Sequence, residues 1–222
     1  MTAKTLQAYE RWAPQYDADP NPHTTLEFDQ VLELLDARSG EKILDAGCGT
    51  GRYIPALTQA GAHVVGIDFS PNMLAIARNK NPGVEFHEND LSRPLPFADQ
   101  EFDAILCTQV AKHLPVLELA MNEFFRILKP GGRIIVSITH PSMTWEGYEL
   151  RRPPEFILSE QTDIFNHTPG DYFVAIDDAG FKIGKILQIP VSEKIQDLLT
   201  PQTYEKFKGQ FQIMAVRIVK PD

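Results

Sequence analysis

The sequence is poor in whatever would cross-link it, anchor it in a bilayer or charge it for a polyanion. Among 222 residues there are 2 cysteines, Cys48 and Cys107. Neither stands at a Cys/His spacing suited to zinc, and two thiols in apolar segments do not make a disulfide framework, so no metal is expected. No run of about 18 apolar residues is present, and the N-terminus has no basic stretch followed by an apolar one. Those absences point to a cytoplasmic location away from the membrane. Lys and Arg number 21 against 30 Asp and Glu, for a formal net charge of -9. The basic pairs Arg151 with Arg152 and Lys206 with Lys208 are too short to make a stripe, so no nucleic-acid partner is expected.

What is present is an ordinary globular balance, 43% hydrophobic and 23% charged. The length suits one α/β domain with a generous core. The chain is organised around Glu41 to Arg52, where Ile43 and Leu44 lead to Asp45 and then to glycines at alternate positions, Gly47, Gly49 and Gly51. That pattern reads as a strand, a tight turn and a helix beginning at Tyr53. Glycine is needed where a turn close to a ligand visits positive φ and lets the backbone approach. A pyrophosphate-binding turn is written G-x-G-x-x-G; here the third glycine comes one residue early and Arg52 stands in its place. An NAD-dependent oxidoreductase is therefore the weaker reading.

The run Leu44-Asp45-Ala46-Gly47-Cys48-Gly49-Thr50-Gly51 resembles the first motif of the class I S-adenosylmethionine-dependent methyltransferases. The resemblance implies that the loop, with Cys48 in it, packs on the methionine part of the cofactor and that Asp45 organises the site around its amino group. Later segments resemble the same family. Asp68 closes the apolar run Val64 to Ile67 and lies 21 positions after Gly47, where a Rossmann-like unit places the acid that accepts from a ribose diol. A carboxylate suits a diol because each oxygen takes one O–H. Phe69 either lies on the adenine or packs in the core, and Met73 faces inward from a helix that Ser70-Pro71 begins. Asn89-Asp90-Leu91 ends a third strand; in the family pattern Asp90 accepts the adenine amino hydrogen and Leu91 packs on the ring.

Pro94 to Phe97, then Phe102-Asp103, resemble the family's approach to its fourth strand, which leads to Thr108, Gln109 and His113. In an open α/β sheet, ligands gather at strand carboxyl ends near the reversal of strand order, so Thr108 to His113 face the sulfonium and the acceptor, with Gln109 the best polar contact. Leu128-Lys129-Pro130-Gly131-Gly132 resembles the family's helix stop and start of the fifth strand, expected over 133–139. Ahead of the first strand, Leu6, Tyr9 and Trp12 have helical spacing up to Pro14, and Tyr16 follows. This segment either packs on the core or closes the pocket, Tyr16 over the cofactor and Tyr9 and Trp12 over the acceptor. A second helix is expected to start at a Thr24 or Thr25 cap and end at Ser39-Gly40.

His140 to Gly170 breaks the α/β rhythm with His140, Trp145, Tyr148, Phe165, His167 and four prolines. It reads as a substrate lid whose aromatic walls, with Tyr172 just beyond, bury an apolar acceptor. A surface loop or a homodimer contact is the other reading. A helix over 171–179, a sixth strand over 181–191 and an alternating last strand over 211–219 follow. The expected architecture is a doubly wound α/β domain over 1–222, Rossmann-like in the methyltransferase manner, with a seven-stranded, mostly parallel sheet and an antiparallel last strand. Its parts are an N-terminal helical cap (1–40), a cofactor core (41–139), the lid (140–170) and C-terminal helix and strands (171–222).

The function implied is methyl transfer from S-adenosylmethionine to a small aromatic or hydrophobic acceptor of specialised metabolism, such as a natural product, at N, O or C. If a base is used, His140, His113 and His167 are the candidates in that order. A cofactor-binding regulatory protein or complex subunit without transfer is the reading from another class.

Overall fold

In the computed structural model, residues 1–18, 21–140 and 162–222 are described. Seven strands, β1 (Lys42–Ala46), β2 (His63–Asp68), β3 (Glu85–Glu88), β4 (Phe102–Thr108), β5 (Leu128–Thr139), β6 (Lys182–Pro190) and β7 (Phe211–Val219), make one sheet in the order β3-β2-β1-β4-β5-β7-β6. The first five pair in parallel. β7 slips between β5 and β6 and is antiparallel to both, as the family resemblance implies. β1 runs to β2 and β3 on one side, whereas β4 lies on its other side. The carboxyl ends of β1 and β4 therefore flank the switch in strand order, where the connections diverge and leave a crevice.

The helices are α1 (Ala3–Trp12), α2 (Pro22–Leu35), α3 (Ile54–Gln59), α4 (Pro71–Lys80), α5 (Leu117–Ile127), α6 (Pro169–Asp178) and α7 (Pro201–Phe207). Because side chains alternate along a strand, Ile43 and Leu44, or Ile134 and Ile135, go to opposite faces. Leu44, Ile105, Ile134 and Val216 join a core with Phe124 of α5 and Ala175 of α6. Ile43, Leu106, Ile135 and Ala215 join another with Leu26 of α2, Leu57 of α3 and Phe207 of α7. Each large apolar side chain so buried contributes roughly 1.5 to 3 kcal/mol, so the sheet is a rigid platform for its loops.

Three boundaries differ from the sequence expectation. Helix α2 starts earlier than a Thr24 or Thr25 cap: Asn21 Oδ1 accepts the His23 N–H at 3.0 Å and Pro22 sits in the first turn. A proline that suggests a loop is tolerated at a first helical position because its missing N–H would have no partner there. The same helix ends at Asp36, with φ 52°, before Ser39-Gly40. The Lys129–Gly132 turn lies inside β5: Leu128 pairs with Phe102 and Arg133 with Ala104, so the intervening residues bulge out, Gly131 at φ 71°. Ser70 caps α4 as expected, accepting the Met73 N–H at 3.2 Å.

Candidate active site

The loop after β1 is shaped by its glycines. Gly47, Gly49 and Gly51 have φ of 79°, 53° and 78°, a region that costs other residues about 1 to 2 kcal/mol. At Gly47 a Cβ would stand 2.4 Å from Val110 Cγ2. At Gly49 a Cβ would meet nothing within 4 Å, because that position faces open space. The Gly47 and Cys48 amides donate to the Ile67 carbonyl at 2.7 and 3.0 Å, which ties the loop to the end of β2.

Asp68 completes that tie. Its Oδ2 accepts the Gly49 N–H and its Oδ1 the Ser70 N–H, both at 2.9 Å. Burial nevertheless pushes its pKa up to about 6. Asp45, 2% exposed, is raised further, to about 7, by burial and then by the Asp68 charge. Its Oδ2 is buried with no hydrogen-bond partner among the described residues. An orphaned carboxylate oxygen is costly unless a donor arrives, and an ammonium group is the donor that restores its charge. The donor set therefore fits the amino-acid end of S-adenosylmethionine at Asp45 and the loop, and a diol at Asp68.

A cavity of about 820 Å³, open mouth included, lies at these strand ends. It is walled by Asp45, Gly47, Cys48, Gly49, Asp68, Phe69, Met73, Thr108, Gln109 and His113, and roofed by Tyr9, Trp12 and Tyr16. Gly51 stands behind the wall, where its Cβ would meet Asn81 Nδ2 at 2.7 Å. Of the third-strand pair, Leu91 lies in the core. Asp90 binds the Met1 ammonium, and it is Met1 that lines the cavity.

The three histidines separate. His113 is buried and lines the cavity. The Asp163 carbonyl can only accept, so His113 Nδ1 donates to it at 3.0 Å, and Nε2 accepts the Tyr9 hydroxyl at 3.1 Å. Burial lowers its pKa to about 4. His140 lies by Phe211, their rings 5.9 Å apart, and burial lowers its pKa also; it is not among the cavity-lining residues. His167 Nε2 donates to the Leu114 carbonyl at 2.7 Å and packs on Phe165 and Tyr172. Phe165 and Tyr172 likewise lie off the cavity, Tyr172 within the core. Trp145 and Tyr148 lie outside the described residues, as does most of the segment read as a lid. Its far end is tied across to α1, where the Thr2 hydroxyl donates to Asp163 Oδ2 at 2.6 Å and the Asp163 N–H to Thr5 Oγ1 at 3.0 Å.

Sequence reasoning missed several wall residues, Asn21, Thr24, Thr50, Arg52 and Tyr53, whereas Val110 and Lys112 fall in the stretch expected to face the site. Thr50 and Arg52 lay inside the quoted motif. Nothing in spacing marks Asn21 and Thr24, which reach the site only because α2 begins there.

Residues 44–136 match the family model described as a methyltransferase domain. The demethylmenaquinone methyltransferase of Streptomyces griseus is 36% identical over 115 residues, 51% of this chain and 50% of that protein, so the chain spans about half the length of the curated relatives it matches. An S-adenosylmethionine-dependent methyltransferase from Mesorhizobium loti superposes with a TM-score of 0.73 at 21% identity, covering 88% of this chain and 98% of that one. The [4+2]-cyclase SpnF superposes with a TM-score of 0.71 at 20% identity, covering 99% of this chain and 97% of that one. Residues 44–136 are thus similar to a methyltransferase domain, and the chain as a whole has the fold of the solved S-adenosylmethionine-dependent methyltransferases.

Proposed function

We propose that the protein transfers the methyl group of S-adenosylmethionine to a small aromatic acceptor. The observation that carries this reading is the buried, unpartnered Asp45 oxygen beside a glycine loop whose middle position faces open space. The cofactor supplies an electrophilic methyl on sulfonium, so the chain's task is alignment and exclusion of water. Orientation of that kind is worth roughly 7 to 11 kcal/mol in well-aligned systems. Asp45 and the loop hold one end, Asp68 the ribose, and Tyr9, Trp12 and Tyr16 close over the acceptor.

Proton removal falls to the Tyr9 and His113 pair. His113 carries its proton on Nδ1 and keeps the Nε2 lone pair toward Tyr9. With a pKa near 4 the imidazole is neutral but weakly basic. Such a pair suits an acceptor whose own proton is acidic, a phenol or quinol rather than an aliphatic alcohol. The aromatic walls favour the same class, and relatives similar over about half of this chain are named demethylmenaquinone methyltransferases. The 140–170 segment covers the acceptor, a reading supported by the anchoring of Asp163 to α1. A cytoplasmic place, in specialised metabolism, goes with it.

Calorimetric titration with S-adenosylhomocysteine tests the cofactor assignment. The wild type should bind at micromolar Kd, and Asp68→Ala should weaken binding tenfold or more, about 1.4 kcal/mol. Folded wild type that does not bind would sink the reading. The alternative is a site that holds the cofactor and transfers no methyl. Incubation with methyl-labelled cofactor and a panel of phenols separates the two, because only a transferase moves the label.

A further inference from the structure

Behind the cavity wall lies a carboxyl group without an ion pair among the described residues. Glu27 of α2 has 0% exposure. Its Oε2 accepts Gln109 Nε2 at 3.0 Å, and its Oε1 the Tyr53 hydroxyl at 3.4 Å. A buried acid costs several kcal/mol in lost hydration, and burial pushes the Glu27 pKa up. An apolar residue on this face of α2, among Leu26, Val31 and Leu34, would pack without that cost.

Gln109 is unusual as well. It follows β4 at φ 58°, a conformation that costs a non-glycine residue about 1 to 3 kcal/mol and tends to persist only where surroundings enforce it. Its backbone N–H donates to the Ser137 carbonyl at 2.9 Å, and its side chain reaches Glu27. With Nε2 so committed, Oε1 is left buried with no partner while the residue lines the cavity. With Glu27 ionised, turning the amide over would set its oxygen against a carboxylate oxygen. Glu27 thus decides which end of Gln109 the occupant meets.

We propose that Glu27 is a positioning residue that holds the Gln109 carbonyl oxygen toward the acceptor, and that the site thereby selects aromatic acceptors bearing a free hydroxyl. This rests on the methyl-transfer reading and names the chemistry of its acceptor. An acceptor O–H satisfies the orphaned oxygen, whereas an ether leaves it buried and unpaired, the situation in which a hydrogen-bonding site rejects an analogue most strongly.

The test compares 1,4-dihydroxynaphthalene with 1,4-dimethoxynaphthalene by anaerobic calorimetry on the S-adenosylhomocysteine complex. Wild type should bind the diol at least tenfold more tightly than the ether. Glu27→Met, similar in size but without an acceptor, should reduce the ratio to twofold or less. Glu27→Gln, whose carbonyl still accepts from Gln109, should keep most of it. Because the ether's extra bulk is the same in every variant, collapse of the ratio reports the hydrogen bond. Gln109→Met should also lose the ratio, which keeps the test decisive if Glu27→Met does not fold. Absence of discrimination or of diol binding in the wild type, or a ratio that survives Gln109→Met or a folded Glu27→Met, overturns the proposal. Binding of S-adenosylhomocysteine itself should stay within a fewfold in the two Glu27 variants; its absence in wild type would instead remove the underlying methyl-transfer reading.

Discussion

The two ends of the sheet are built from similar strands and used differently. At β1, β2 and β4 the strands are buried almost throughout; the loops after β1 and β4 hold positive φ, and buried carboxylates and unpartnered polar atoms gather at the strand ends. At the other end, β6 is exposed over most of its length, with Ile183 and Ile186 in solvent, and no described residue beyond 162 lines the cavity. The first end stores strain and unsatisfied charge where a ligand can relieve it, whereas the second closes the sheet. Function concentrates where local stability is given up, and variants can measure how sharply the two ends divide.

The largest effect should come from Gly47→Ala, which adds a contact 2.4 Å from Val110 to a residue at φ 79°. Overpacking and backbone strain together should cost about 3 kcal/mol or more and abolish S-adenosylhomocysteine binding. Gly209→Ala is the matched control, since Gly209 has φ 78° and nothing within 4 Å of its Cβ. It should lower stability by about 1 to 2 kcal/mol and leave binding untouched. Thermal unfolding and calorimetry together read both, and an equal loss of binding in the two variants would erase the contrast.

Titration should come next. The Asp45 and Asp68 pKa values stand at about 7 and about 6, above the 3.9 of an unfolded aspartate. Their contribution is therefore fully present below about pH 4 and is lost as pH rises through 6 to 7. Binding should run the other way, because an ammonium is held by the ionised form. S-adenosylhomocysteine affinity should rise roughly tenfold or more between about pH 5.5 and 8. In Asp45→Asn most of that rise should vanish, and the apo protein should gain stability at the alkaline end. A pH-independent Kd in the wild type would contradict the assignment of Asp45.

Tyr9→Phe removes the hydroxyl that meets His113 and leaves the ring. Turnover on a phenolic acceptor should fall by about 10² to 10⁴, the usual share of general base catalysis, with cofactor affinity unchanged. A full rate would leave His113 a packing residue. The smallest effect belongs to the quiet edge: Ile186→Ser, at a side chain 43% exposed, should change stability by no more than about 0.5 kcal/mol. A large loss there would mean that the edge is covered in solution.

Much of this molecule could be read along the chain. The alternate glycines, Asp68 at the end of β2 and the Ser70-Pro71 start of α4 are local signals, because turn, cap and strand end are settled by neighbours in sequence. The corrections fall where two local signals compete. Pro22 marks a loop or a first helical turn equally well, and only the Asn21 side chain bonded to His23 decides for the helix. His140 ranked first as a base because it ends β5, but the sheet carries that strand end toward Phe211, off the cavity wall.

The sequence by itself determined the fold and the shape of the glycine loop after β1, since both rest on periodicity and on short motifs whose residues touch one another in sequence. Only the tertiary structure joined Tyr9 to His113, 104 positions away, and Glu27 to Gln109, 82 positions away. Those pairs leave no spacing to read. They arise because packing α1 and α2 over the carboxyl ends of the strands removes water from groups that must then find partners in each other.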